Sequence, residues 1–261
     1  MTPTTIRVDS GDRGIATLTL ARSAKHNALN AVMISELTEA AARFSADSTV
    51  RVVVLKGDGE SFCAGGDLDW MKSQAAASRS ERMSEARKLA MMLRAWNELP
   101  KPVIAAVHGA AYGGGVGLVS VCDNAVAVDT AKFGLTETRL GLIPATIGPY
   151  VAARLGSGAA RRIFMSSKIF DAHEALHLGL VGSVVPVGNL DAAIEKEARA
   201  YLATAPGAVA AAKALLHRLT GKIPDEVIEE TIAKLADTWE AQEASEGLNA
   251  FFEKRKPSWS K

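Results

Sequence analysis

Cysteine is almost absent from this chain: Cys63 and Cys122 are the two in 261 residues. That is too few for a disulfide framework and makes a reducing compartment the default expectation. An excess of charge of one sign is missing too. Against 30 Lys and Arg stand 29 Asp and Glu, a net charge of +1, which removes the broad electrostatic case for nucleic acid as the main partner. No stretch of ~18 uninterrupted apolar residues occurs, so no membrane-crossing segment is expected. The opening residues, MTPTTIRVDSGDRG, lack a basic segment followed by an apolar one, so no signal peptide is expected either. These absences point to a cytoplasmic globular protein. At about 150 residues per domain the length suits one large domain or one and a half, enough to bury a sizeable core.

What is present is periodicity. Apolar alternation at 5–8 and 14–20 predicts a strand pair turning over 9–13. Residues 30–44 place apolar side chains at 32, 33, 37, 40, 41 and 44, the spacing of an amphipathic helix capped by Asn30. The β-branched run 51–56 suits a buried strand and is followed by a Gly-rich loop over 57–69. Residues 81–99 read as a long helix stopped by Pro100 and Pro102. A second buried strand, 103–107, leads into the glycine cluster 109–117; 118–122 reads as helical and 124–128 as extended. Buried strands linked by helices imply an α/β chain. Beyond about residue 190 the strand signals stop, and 191–202, 207–219, 224–244 and 246–256 are rich in Ala, Glu, Lys and Leu. This divides the chain into an α/β core, 1–190, and a helical region, 191–261, packing on its own core, on a partner subunit, or on both. Ile228, Ile232, Leu235 and Trp239 are apolar positions in that region which a small core is not expected to cover.

Several short motifs can be weighed on their chemistry. His173-Glu174-Ala175-Leu176-His177 spells the H-E-x-x-H pattern of zinc proteases. A third ligand is not evident, Leu180 and Ser183 stand where a longer zinc motif needs Gly and His, and Gly179 stops the helix directly after the second histidine. No metal is therefore expected. Gly113–Gly115 lacks the Lys-Ser/Thr of a P-loop, and a G-x-G-x-x-G frame from Gly115 ends on Ser120. Three successive glycines exceed what a turn needs, and glycine at a helix start lets a ligand approach free backbone N–H groups. The loop Ser61–Leu68 follows its strand in the same way, so two such loops could each offer one N–H to a single oxygen, as an oxyanion hole requires. Cys63 has no base near it in sequence and reads as a packing residue. Glu137 is the remaining candidate acid or base; on spacing alone the reading as a solvated carboxylate near a helix start is the favoured one.

Taken together, FCAGGDL (62–68), GAAYGGGVG (109–117), FGLTE (133–137), LGLIP (140–144) and DAHEALHLGLV (171–181) resemble the enoyl-CoA hydratase/isomerase, or crotonase, superfamily. RSAKHNAL (22–29) and FFEKRKPSW (251–259) extend the resemblance over nearly the whole chain. It implies a crotonase-like α/β spiral of ββα turns with a C-terminal helical trimerisation region, as a homotrimer or homohexamer. It implies that Gly66 and Gly114 N–H groups hold a thioester oxygen, and that Glu137 exchanges a proton with C2. Lys25, Ala28, Ala64, Asp67 and Leu68 would then contribute to a coenzyme A pocket, joined by Phe251 and Lys254 of a neighbouring subunit. Coenzyme A would arrive as part of the substrate, with no permanently bound cofactor.

One departure stands out. The family's hydratases carry a further glutamate two residues after the triple glycine, where this chain has Gly117. Residues 66–71 and 141–151 resemble the branch hydrating methylglutaconyl-CoA and isohexenylglutaconyl-CoA. On this reading Gly117 removes a charge and vacates volume near C3, favouring branched or carboxylated 2-enoyl thioesters, with Arg139 or Lys72 balancing the carboxylate. Two other functions compete: an enoyl-CoA isomerase using Glu137 as its single proton shuttle, and a CoA-binding protein without efficient catalysis.

Overall fold

The computed structural model describes residues 3–11 and 13–260; Asp12, inside the turn expected over 9–13, lies outside the described residues. Strand β1 (Ile6–Ser10) pairs antiparallel with β2 (Ile15–Leu20), Ile6 opposite Leu20. Helix α1 (Ala31–Ala46) follows, with the Asn30 side chain accepting the Met33 N–H as its cap. Strand β3 (Val52–Gly57) lies parallel to β2. Then come α2 (Leu68–Ala76) and α3 (Arg79–Asn97). Helix α3 starts two residues before the predicted 81 because Ser78 and Glu81 form a reciprocal capping box. Strands β4 (Val103–Val107) and β5 (Ala110–Tyr112) lead into α4 (Gly114–Ser120), and β6 (Asn124–Val128) and β7 (Lys132–Gly134) into α5 (Gly148–Phe164). The chain continues through β8 (Phe170–Asp171), α6 (Ala172–His177) and β9 (Ser183–Val185). It then runs through α7 (Leu190–Leu202), α8 (Pro206–Thr220), α9 (Asp225–Glu240) and α10 (Gln242–Phe252).

The strands form a six-stranded sheet, β1-β2-β3-β4-β6-β9, and a three-stranded sheet, β5-β7-β8. Strands β3, β4 and β6 read as unbroken apolar runs because both faces are covered. Val53, Leu55, Ala105, Val107 and Ala127 join the main core with Leu37, Phe44 and Trp96 of α1 and α3. Trp96 is fully buried and its indole N–H donates to the Leu37 carbonyl at 3.1 Å. Val52, Val54, Ile104, Ala106 and Val126 point the other way, against Ile194 and Ala198 of α7. The sheet's second face is thus covered from beyond residue 190.

The C-terminal helices differ from expectation in two respects. Residues 224–244 are not one helix: Ala241 has extended backbone, φ −73° and ψ 149°, which separates α9 from α10. This lets α10 fold back until Gly247 meets the Leu140 backbone, so closely that a Cβ there would lie 2.5 Å from the Leu140 carbonyl carbon. The four apolar residues expected to be left uncovered are also accounted for within the chain. Ile228 and Ile232 are buried against Ala86 and Ala90 of α3, and Leu235 and Trp239 line a cleft described below. Helix α9 is covered by α3, whose small residues leave room for it.

The turns of the fold are in register. Turns β4-β5-α4 and β6-β7-α5 each send their first strand to the large sheet and their second to the small one. In the turn that begins at β3 the second strand shrinks to a single bridge, Cys63 beside Ala111. Ala111 in turn pairs with Phe133. This row aligns three loops, and Gly66, Gly114 and Glu137 each follow it by three or four residues.

Candidate active site

Two backbone donors meet where the first two loops run side by side. Cys63 N–H donates to Ala110 at 3.0 Å and Tyr112 N–H donates to Cys63 at 2.9 Å, lacing the loops together. Beyond this bridge Gly65 and Gly113 hold φ of +97° and +47°, a region that L side chains rarely adopt. The Gly66 and Gly114 N–H groups find no acceptor among the described residues. The expected pair of N–H groups is therefore unpaired, and both residues line one cleft.

Position 66 is held from behind by Asp67. Its side chain accepts the N–H groups of Asp69 at 2.9 Å and Trp70 at 3.2 Å, starting α2. Its other oxygen meets the Arg22 guanidinium at 2.8 Å, and both side chains are largely buried. Burial alone would raise the Asp67 carboxyl, but Arg22 and the two N–H donors outweigh it and hold it below its ordinary value. Arg22 also donates to the Ala28 carbonyl. Leu29 and Asp67 complete the brace: Leu29 N–H donates to Gly65 and Asp67 N–H to Leu29.

Glu137 opens a 3-10 turn, Glu137–Leu140, directly after β7. Its Oε2 is buried without a hydrogen-bond partner. Its Oε1 lies 2.9 Å from where a Cβ on Gly113 would sit, so a side chain at 113 would strike the carboxylate. Burial pushes its pKa from 4.5 up to about 7, only partly offset by the N–H groups of Glu137 and Thr136. A carboxyl poised near neutrality can both take and give a proton. Glu137 lines the same cleft as Gly66 and Gly114.

The cleft has a cavity volume of about 120 Å³ and is walled mostly by apolar side chains, among them Leu29, Met71, Leu89, Leu142 and Ile147. Ile147 corrects the reading of Gly117. A Cβ at 117 would lie 2.5 Å from Ile147 Cγ2, so the space left by the missing glutamate is already occupied. The charge is gone, but no volume is vacated. The proposed counter-cations are also displaced. Lys72 lies over the Phe252 ring at 4.8 Å, and Arg139 donates to the Ser167 carbonyl; neither lines the cleft. The cation that does is Arg82.

Of the remaining sequence candidates, the segments 25–28 and 64–68 lie side by side: Ala64 N–H donates to the His26 carbonyl at 3.0 Å and Lys25 pairs with Asp69 at 3.2 Å. Lys25 and Leu68 are exposed, Ala64 is half-buried and Ala28 is buried. Phe251 and Lys254 are exposed at the end of α10 and do not line the cleft. Cys63 is buried, and burial pushes its thiol up to about 12, as suits a packing residue. In the H-E-x-x-H segment the central Glu174 carboxylate is taken by Arg162. Sequence reasoning missed Trp70, Arg82, Leu235 and Trp239 as cleft residues. Arg82 left a signal: it shares one face of α3 with Ala86, Leu89 and Leu93, a cation continuing an apolar stripe.

Residues 10–261 match the family model described as Enoyl-CoA hydratase/isomerase. The chain is 34% identical to the mitochondrial methylglutaconyl-CoA hydratase of Homo sapiens over 97% of its own length and 75% of that protein's. It is 32% identical to a crotonyl-CoA hydratase of Syntrophomonas wolfei, over 94% of each chain. A crystal structure of an enoyl-CoA hydratase from Mycobacterium avium superposes with a TM-score of 0.88 at 35% identity, covering 98% of this chain and 99% of that one.

Proposed function

This chain belongs to the enoyl-CoA hydratase/isomerase family and has its crotonase fold, and we propose that it is a hydro-lyase that adds water across the 2,3-double bond of 2-enoyl thioesters of coenzyme A whose acyl groups are branched or carboxylated at C3. One observation carries the reading: a carboxylate with one oxygen buried and unpartnered shares an apolar cleft with two unpaired backbone N–H groups. The thioester oxygen sits between the Gly66 and Gly114 N–H groups, which are fixed before charge develops on it; such donors are typically worth ~3 kcal/mol each. Ionised Glu137 takes a proton from water as the water oxygen bonds to C3. Electrons move from the double bond towards the thioester oxygen, and Glu137 then gives that proton to C2. The carboxylate ends as it began, so one residue serves both transfers. The 34% identity to methylglutaconyl-CoA hydratase supports a branched, carboxylated acyl group.

Ile147 in the Gly117 space favours a second reading, isomerisation, because a single carboxylate can also carry a proton between C2 and C4. The two separate on a spectrophotometer. Hydration of a 2-enoyl thioester removes its conjugated absorbance, whereas isomerisation of a 3-enoyl thioester creates it. Loss of absorbance with 3-methylglutaconyl-CoA exceeding that with crotonyl-CoA is the expected result; no loss with any 2-enoyl thioester would overturn the proposal. A cytoplasmic location and a trimeric or hexameric assembly belong to the same proposal, the latter supported by the apolar residues left exposed on α8.

A further inference from the structure

Among the described residues, two charged side chains line the cleft: Glu137 and Arg82. Glu137 is used by the chemistry; Arg82 is not. It stands in the first turn of α3, facing the end of α2 and the end of α9. Its Nε donates to the Gln74 carbonyl at 2.8 Å and its Nη2 to the Ala75 carbonyl at 3.0 Å, both in the last turn of α2. Its guanidinium carbon lies 5.8 Å from the centre of the Trp239 ring. Nη1 has no hydrogen bond among the described residues.

The neighbouring arginines of α3 are treated differently. Arg79 pairs with Asp237 and Glu240, Arg87 with Glu229, and Arg94 with Asp225, all from α9 or its first turn. Arg82 lies on the same helix pair and receives an indole face instead of a carboxylate. Capping α2 accounts for Nε and Nη2. It does not account for a half-buried guanidinium left without a carboxylate partner in the wall of an apolar cleft, where its free Nη1 is open to an incoming anion. Arginine suits this place because it stays charged, is fixed by its fork, and binds carboxylates directionally.

These groups form two clusters on the wall of one cleft: Gly66, Gly114 and Glu137, linked through Leu29 and Gly113, and Gln74, Arg82 and Trp239, linked through the guanidinium. Arg82 is therefore the cation available in that wall to an acyl group whose thioester oxygen lies on the two N–H groups. We propose that Arg82 is a specificity-determining residue that binds a carboxylate at the far end of the acyl group, so that the preferred substrates are coenzyme A monothioesters of unsaturated dicarboxylic acids. This rests on the hydratase reading above and deepens it.

The test compares glutaconyl-CoA with 2-pentenoyl-CoA, of equal chain length and differing in the terminal carboxylate, and their saturated counterparts glutaryl-CoA and pentanoyl-CoA in binding. The wild type should favour the carboxylated member of each pair. In Arg82→Met the ratio of kcat/KM, glutaconyl over pentenoyl, should fall roughly ten- to a hundredfold, mainly through KM, as expected for a lost charge-assisted hydrogen bond. The binding ratio, glutaryl over pentanoyl, should fall with it, and Arg82→Lys should lie between. An unchanged ratio in Arg82→Met overturns the inference, as does a wild type that binds pentanoyl-CoA as tightly as glutaryl-CoA, a measurement that needs no variant. Failure to hydrate either enoyl thioester while glutaryl-CoA is still preferred in binding would overturn the hydratase reading and support the role of Arg82.

Discussion

At the scale of single residues, Glu137 carries the sharpest expectations. Glu137→Gln should lower turnover at least ~100-fold while leaving thioester binding nearly intact, since only proton transfer is removed. In the wild type kcat/KM should rise with pH through a midpoint of about 7, because the proton acceptor must be ionised in the free enzyme. Stability should move the opposite way. The folded-state pKa is raised above 4.5, so the contribution of the protonated carboxyl is fully present below 4.5 and lost as pH rises through about 7. Over that window the loss is on the order of 3 kcal/mol. Urea unfolding of wild type and Glu137→Gln should therefore diverge between these values, with the variant the flatter of the two. A second prediction concerns Gly117. Glutamate there collides with Ile147 and buries a charge, so Gly117→Glu alone should cost ~3 kcal/mol or more. Paired with Ile147→Ala it should recover stability and raise hydration of crotonyl-CoA above the wild type. Gly117 was legible as a missing charge because that is a property of one position. Its filling by Ile147 was not, because thirty positions of chain separate the two and only the fold brings them into contact.

At the scale of elements, what the sequence revealed depended on how locally each element is determined. Strands β3, β4 and β6 are covered on both faces, so each is a short apolar run that announces itself. Helix α1 has a full apolar stripe and a side-chain cap. Helix α2 has neither stripe nor length; the loop expected over 57–69 overlaps only its first two residues and nothing marks 70–76, because what starts it is Asp67, paired with an arginine from a distant segment. This makes the Arg22–Asp67 pair the brace of the loop that presents the Gly66 N–H. Asp67→Ala removes the cap of α2 and leaves Arg22 buried without its partner, which should cost about 3–5 kcal/mol. The same variant should lose turnover beyond what its unfolded fraction explains. A melt followed by circular dichroism, with activity measured far below the midpoint, separates the two effects. Leu235 and Trp239 show the limit of periodicity: their helical spacing marks them as apolar, but whether such a face meets a partner, a core or a substrate is decided by what packs opposite.

At the scale of the whole molecule, the helices beyond residue 190 serve different ends. Helix α7 closes the sheet, α9 lines the cleft, α10 packs on the turn that carries Glu137, and α8 leaves Leu215, Leu216 and Leu219 exposed, the last at 74%. These three leucines along one face of a helix are the exposed apolar surface on which the assembly proposal rests. Leu216→Glu combined with Leu219→Glu should convert the proposed trimer or hexamer to monomers without unfolding them, read by light scattering. A wild type already monomeric at micromolar concentration would sink the assembly proposal.

The backing of Glu137 by α10 has a consequence in time. Gly141 and Gly247 fit so tightly against the backbones of Glu243 and Leu140 that neither position admits a Cβ. The turn carrying the proton-transfer group therefore takes its final shape only when a helix from far later in the chain arrives. Contacts so distant in sequence are closed late, because the entropy of the intervening loop must be overcome first. During synthesis the sheet and its two N–H donors can be in place while the carboxylate still lies in water, with an ordinary pKa and no chemistry to perform. On refolding, far-UV ellipticity should accordingly return before turnover does, and the lag between them measures the docking of α10.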